Sequence, residues 1–331
     1  MSNFWQKLSN PFFVLAPMAN VTDWAFRKVV AKCGRSDVFY TEFLSCDGIV
    51  HDRTRFKKEL YFEKSEKPIV VQFFGSNPDN FYRCAQLAQD LGYDGIDINM
   101  GCPDRGIEKQ GAGAALINNP KLAQKIIKET KRGARSTSSG QALPVSVKTR
   151  LGYNRITTKE WVSYLLEAEP AAITIHGRTR REMSKVPVHW NEIGIAAEIA
   201  TGSTGSRREE AKTLIIGNGD VTDIKDAKQK ARDYKLDGIM VGRGIFANPW
   251  FFNENTEHAE RTPNERIDLL REHLNNFEKL WGEDKNFDTM KRFFKVYISN
   301  WPSAKELRAK LMTAKNKKDA ANILFKHLNC G

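Results

Sequence analysis

Short runs rich in Val and Ile recur eight times between residues 14 and 245, and longer amphipathic stretches separate most of them. The runs are Val14–Pro17, Val38–Phe43, Ile69–Phe74, Gly95–Met100, Val145–Thr149, Ile173–His176, Leu214–Gly217 and Ile239–Val241. Continuous apolar runs of this length suit strands buried on both faces, and helical connections between them suit a parallel sheet. Eight strand–helix units are the count that closes a ring. The expected class is α/β, a (β/α)8 TIM barrel. Local signals support the helices. Asp79–Leu91 places Phe81, Cys84, Ala85, Leu87 and Ala88 at helical spacing, and Pro120 suits a first helical position. Thr158–Ala168 and Thr222–Tyr234 repeat the pattern.

After Phe252 the strand pattern stops. Pro263–Trp281, Phe287–Ser299 and Ser303–Leu328 read as helices, and Ser303 with Glu306 has the spacing of a capping box. The expected division is a barrel over 1–250 and an all-α C-terminal domain over 251–331. Two Ser/Gly/Thr-rich stretches, 135–142 and 201–206, fall between helix and strand and read as insertions without chemistry, since added loop length costs little.

Composition narrows the partners. The chain of 331 residues carries 52 Lys and Arg against 40 Asp and Glu, a net charge of +12. From Lys285 to Gly331 there are 11 basic and 3 acidic residues, a net of +8 in the last seventh of the chain. That concentration favours a polyanionic partner. No apolar run reaches the roughly 20 residues that span a bilayer. The first residues lack a signal peptide's apolar stretch, and the five cysteines include no Cys-x-x-Cys pair. No membrane association, no metal and no disulfide framework are expected, and the expected location is cytoplasmic.

In a barrel of this kind, chemistry comes from residues at the carboxyl ends of the strands. The fourth run delivers one thiol there: Asn99-Met100-Gly101-Cys102-Pro103, with Pro103 unable to continue regular pairing. A free cysteine is often just a small buried hydrophobe, so its neighbours decide its role. The first strand ends in Ala16-Pro17-Met18-Ala19, and the third carries Gln72. The fifth ends in Lys148-Thr149-Arg150, the sixth in His176-Gly177-Arg178, the seventh in Asn218-Gly219-Asp220 and the eighth in Gly242-Arg243-Gly244. Alternation puts Ser146, Lys148 and Arg150 on one face, and Thr174, His176 and Arg178 together. Glycine turns after strands seven and eight form the usual phosphate site of this barrel, to which Arg243 adds charge. A phosphate anchored there, with Lys148 and Gln72 reaching a central ring, describes flavin mononucleotide (FMN).

The set Ala16-Pro17-Met18-Ala19 with Thr22-Asp23, Asp97 through Pro103, Lys148-Thr149-Arg150, Ile175 through Thr179, Asn218-Gly219-Asp220 and Gly242-Arg243 resembles the tRNA-dihydrouridine synthases, in order across residues 10 to 250. The C-terminal region resembles that family's helical RNA-binding domain. The resemblance implies bound FMN, NADPH as reductant and uridine in tRNA as substrate. It assigns Pro17, Met18, Ala19, Gln72, Lys148, His176, Asn218, Gly219, Asp220, Gly242 and Arg243 to FMN. It makes Cys102 the catalytic acid and gives Asn99, Arg150 and Arg178 to the substrate. Two other readings share part of this pattern. One is a flavin barrel acting on a free small molecule, of the dihydroorotate dehydrogenase type. The other is a non-catalytic RNA-binding barrel.

Overall fold

A computed structural model describes residues 3–135, 142–202, 213–253 and 261–329. Residues 136–141 and 203–206 of the two Ser/Gly-rich stretches lie outside the described residues. Contacts group the chain into two units, Met1–Ala19 with Asp37–Gly242, and Asn20–Ser36 with Arg243–Gly331.

The first unit is a ring of eight parallel strands: β1 (Phe12–Leu15), β2 (Phe39–Ser45), β3 (Ile69–Phe74), β4 (Gly95–Asn99), β5 (Val145–Arg150), β6 (Ala172–His176), β7 (Leu214–Asn218) and β8 (Gly238–Val241). Each strand pairs with its sequence neighbour from β2 to β8, and β8 pairs with β1 in the register Phe12↔Gly238 to Leu15↔Val241. A parallel bridge from Val14 to Val38, just ahead of β2, closes the ring. All eight expected runs are strands. The largest difference is in β1, which lies two residues earlier than the run Val14–Pro17. The Ala16 amide still donates to the Val241 carbonyl, but Pro17 has no N–H to extend the ladder.

The barrel interior changes character along its axis. Trp5, Phe12, Val14, Tyr40, Val70, Ala172, Ile216 and Met240 form one buried cluster in its amino-terminal half. Towards the carboxyl ends, Gln72, Asp97, Asn99 and Ser146 take over, joined to one another by hydrogen bonds. Burial of the apolar layer supplies stability. The polar layer must be satisfied internally or by a ligand. Helices follow the strands outside, among them Pro78–Asp90, Pro120–Gly133, Thr158–Leu166, Trp190–Thr201 and Ile224–Asp233. Asn77 and Asn119 cap the first two, each with proline in the first turn.

In the second unit the helix Trp24–Cys33 is grouped with Pro263–Trp281, Asp288–Lys291, Phe294–Tyr297, Ala304–Met312 and Lys317–Asn329. Pro263–Trp281 has the bounds expected from sequence, and a Thr262/Glu265 capping box starts it. The other two expected helices are each divided. Ser303 does not form the expected capping box: its φ of 66° puts it in the left-handed region, and its side chain makes no capping bond. The break before Lys317 has its own cap, because Asn316 Oδ1 accepts from the Asp319 amide at 2.8 Å and Asp319 Oδ2 accepts from the Lys315 amide at 3.0 Å.

Asp23 ties this unit together. Its Oδ1 caps the helix at the Phe26 amide, and its Oδ2 accepts from Trp281 Nε1 at 2.8 Å beside Lys285 Nζ at 3.4 Å. Asp23→Ala removes a cap and the acceptor 2.8 Å from the buried Trp281 Nε1, so stability should fall by about 2–4 kcal/mol. Calorimetry of the two proteins measures the loss, and an unchanged melting temperature would refute this role.

Candidate active site at the barrel mouth

The thiol sits on a loop held from several sides. After β4 the Met100 amide still donates to the Lys148 carbonyl at 2.8 Å, and the chain then leaves the sheet. Asn99 Oδ1 accepts from the Gly101 amide at 3.1 Å and from the Cys102 amide at 2.9 Å. The Ala114 amide donates to the Cys102 carbonyl at 2.9 Å. Gly113 makes that approach possible: its φ is +61°, and a Cβ there would lie 2.7 Å from the Cys102 oxygen. Arg150 Nε donates to the Gly101 carbonyl at 2.7 Å. Asp104 caps the short helix Arg105–Glu108, and Glu108 makes a bidentate ion pair with Arg180.

Below the loop runs a chain of polar side chains. Ser146 Oγ donates to Asp97 Oδ1 at 2.6 Å and Gln72 Nε2 donates to Asp97 Oδ2 at 2.6 Å. Asn99 Nδ2 then donates to Gln72 Oε1 at 2.9 Å. Burial pushes the Asp97 carboxyl up to about 6, while its two donors and Lys148 pull it back, so the carboxylate form prevails at neutral pH. Lys148 faces Asn99 across the β4–β5 register. Burial and then the Arg150 charge lower its ammonium to about 8, against the opposing pull of Asp97. Among the described residues, no hydrogen bond or ion pair satisfies that ammonium.

Cys102 is half-buried, and desolvation raises its thiol above the usual range despite the Lys148 and Arg150 charges. It therefore holds its proton at neutral pH. Such a thiol is a proton donor and a poor nucleophile.

The remaining expected residues extend this arc around the ring. Arg150 Nη1 lies 3.4 Å from His176 Nδ1 and also donates to the Thr179 carbonyl at 3.1 Å. His176 is in register with Asn218. Asn218 Nδ2 donates to the Met240 carbonyl at 2.8 Å. Gly219 has φ +135° beside His176 Nε2 and Val188, a position a side chain would strain. Gly242 lies against Ala16 and Met18, with Pro17 buried and Ala19 exposed next to them. Arg178 is 2% exposed and ion-paired with Asp220, and its Nε donates to the Val186 carbonyl at 2.5 Å. Among the described residues its buried Nη1 has no partner. Arg243 follows Gly242 in the chain, is exposed and begins the longer stretch of the second unit, Arg243–Gly331.

Sequence reasoning passed over Asp97 and the Glu108–Arg180 bridge. Asp97 was legible as the residue two before Asn99, on the same strand face. The bridge joins positions 72 residues apart, which no local pattern signals. A cavity of about 610 Å³ lined by Asn10, Pro11, Arg232 and Lys235 contains none of the residues of this site. Among the described residues no cluster of three His, Cys, Asp or Glu side chains could hold a metal ion, and no helix is long and apolar enough to cross a membrane.

Among solved structures, the barrel is similar to that of the 2-naphthoyl-CoA reductase–2-naphthoyl-CoA complex, at 9% identity and TM-score 0.54 over 74% of this chain and 50% of that one. Histamine dehydrogenase from Rhizobium sp. 4-9 is similar at 12% identity and TM-score 0.51, over 80% of this chain and 48% of that one. The chain thus spans about half the length of each, and the likeness is one of fold. Sequence similarity reaches further. The "Probable tRNA-dihydrouridine synthase" of Staphylococcus aureus (strain COL) is 41% identical over 327 residues, 97% of this chain and 94% of the relative. The "Probable tRNA-dihydrouridine synthase 2" of Bacillus subtilis (strain 168) is 40% identical over 97% of this chain and 95% of its own length. The profile described as "Dihydrouridine synthase (Dus)" matches residues 14–329, a span that holds the thiol loop, the polar arc and the helical segment alike. The chain belongs to the dihydrouridine synthase family.

Proposed function

We propose that this protein is a tRNA-dihydrouridine synthase, reducing the C5–C6 double bond of uridine in tRNA with FMN as bound cofactor and NADPH as reductant. The observation that carries the reading is a protonated, half-buried thiol held one strand away from an ammonium group that no described residue satisfies. Family membership and the full-length relatives support the substrate.

The residues present suit FMN. The Lys148 ammonium, which has no hydrogen bond or ion pair among the described residues, is a donor awaiting an electron-rich ligand. In this proposal Pro17, Met18, Ala19, Gln72, Lys148, His176, Asn218, Gly219, Asp220, Gly242 and Arg243 hold the cofactor. When bound, FMN supplies the hydride that reaches C6 of the uracil ring. Cys102 gives its proton to C5, so one hydride and one proton saturate the bond, and the thiolate is reprotonated from solvent. The positive charges of Lys148 and Arg150 lie close enough to Cys102 to stabilise that transient thiolate. Asn99 has one amide hydrogen left to orient the uracil, and Arg150 and Arg178 complete the substrate contacts. The thiol loop is fixed before substrate arrives, so little ordering is needed when the base enters.

Residues 1–250 are proposed as the catalytic domain and the helical segment 251–331 as the tRNA-binding domain, where net charge favours phosphate contacts. The target base must be unstacked from folded tRNA, which costs a few kcal/mol that such contacts offset. The cytoplasm is the proposed location. Deleting the gene should remove dihydrouridine from at least one tRNA position, read by nucleoside mass spectrometry. An unchanged dihydrouridine map, with flavin absent from the purified protein, would overturn the proposal.

A further inference from the structure

The polar chain beneath the thiol loop has a direction, and one residue sets it from below. An ionised carboxylate only accepts hydrogen bonds, whereas an amide side chain has an accepting and a donating end. With Asp97 accepting from Ser146 and from Gln72, Gln72 must turn its nitrogen towards Asp97 and its oxygen towards Asn99. Asn99 then turns its nitrogen to Gln72, and its oxygen is left for the amides of Gly101 and Cys102. Every link lies between 2.6 and 3.1 Å, and Asp97 and Gln72 are fully buried. Reversing either amide would set donor against donor or acceptor against acceptor in a site with little access to water.

We propose that Asp97 is the positioning residue of the thiol loop, fixing the Cys102 backbone through a one-way relay of the Gln72 and Asn99 amides. It touches neither the reacting atoms nor the loop itself. The inference rests on the reading of Cys102 as the proton donor only for its effect on the rate; its effect on the loop stands apart. Replacing Asp97 with leucine keeps the branching of the side chain, with bulkier ends, and removes both acceptors, so Gln72 and Asn99 lose their common orientation and the loop loosens. Replacing it with asparagine removes the charge yet keeps the direction, because one amide oxygen can face Gln72 while the Ser146 hydroxyl turns to accept from the amide nitrogen.

The readout is the alkylation rate of Cys102 by iodoacetamide in the purified full-length protein, followed by peptide mass spectrometry. Cys33, Cys46 and Cys84 are buried and serve as internal controls. In Asp97→Leu the rate should rise about tenfold as the half-buried thiol becomes accessible, and Asp97→Asn should bring it back to within about threefold of wild type. Gln72→Leu cuts the same relay one link later and should match Asp97→Leu, which keeps the test open if the leucine at 97 prevents folding. A folded Asp97→Leu or Gln72→Leu protein with the wild-type rate would overturn the proposal. So would an Asp97→Asn protein that behaves like Asp97→Leu, since Asp97 would then act through its charge on Lys148. Whether the wild-type protein reduces uridine is read separately, so failure of the relay and failure of the proposed activity are distinguishable.

Discussion

Cys102→Ala is expected to lower the rate of uridine reduction by about 10²- to 10⁴-fold, the usual contribution of a positioned general acid. Flavin content should stay at the wild-type level. The expectation follows from what holds the loop: Asn99 and Ala114 bind the backbone amide and carbonyl of residue 102, and neither bond involves the sulfur. Alanine therefore leaves the loop in place and removes only the proton. The half-buried side chain is small, so the stability cost is also small. Mass spectrometry of tRNA gives the rate, and the visible absorbance of the purified protein gives the flavin content. A variant with no flavin would show that the cysteine serves structure first.

Lys148→Met should be nearly as damaging, lowering kcat/KM by about 10²- to 10³-fold, because a preorganised charge in a site with little water is worth far more than in solvent. Methionine keeps the length and apolar stem, and the register of β5 with β4 and β6 is unchanged. A pH profile tests the charge itself. Burial and Arg150 lower the Lys148 ammonium to about 8, whereas the Cys102 thiol is raised. In the proposed mechanism the active form has both groups protonated. As pH rises, kcat/KM of the wild-type enzyme should therefore fall first near 8 with loss of the lysine charge, and fall again at higher pH with loss of the thiol proton. In Lys148→Met the first fall should vanish while the second persists. A profile with the same first fall in both proteins would assign that titration elsewhere.

Much of this architecture was legible in the sequence because strands buried on both faces leave a simple mark. The eight Val- and Ile-rich runs were enough for the ring, and the positions where they stop were enough to place Cys102, Lys148, His176 and Gly219 at the carboxyl ends of the strands. The N-terminal half of the interior followed from the same apolar residues. The misplaced features have local causes. β1 reads two residues late because Ala16 and Pro17 look like its continuation, although proline cannot pair. Ser303 has capping-box spacing but a left-handed backbone, which only the surrounding chain could impose. The last helix divides at Lys315 and Asn316 because Asn316 and Asp319 cap a new start, a signal weaker than the helical periodicity on either side. The position of Asp97 was legible, but its role was hidden for another reason. A carboxylate inside a barrel gains meaning only from the Gln72, Asn99 and Ser146 side chains around it, and these come from three strands.

A single-turnover experiment tests the central claim most directly. The flavin-loaded protein is reduced without oxygen and mixed with a tRNA transcript that carries no modified bases. The return of oxidised-flavin absorbance and the appearance of dihydrouridine are followed together. The account predicts equal amplitudes and equal rates, with both rates lowered about 10²- to 10⁴-fold in Cys102→Ala. Flavin oxidised by tRNA without formation of dihydrouridine, or dihydrouridine formed by the alanine variant at the wild-type rate, would contradict it.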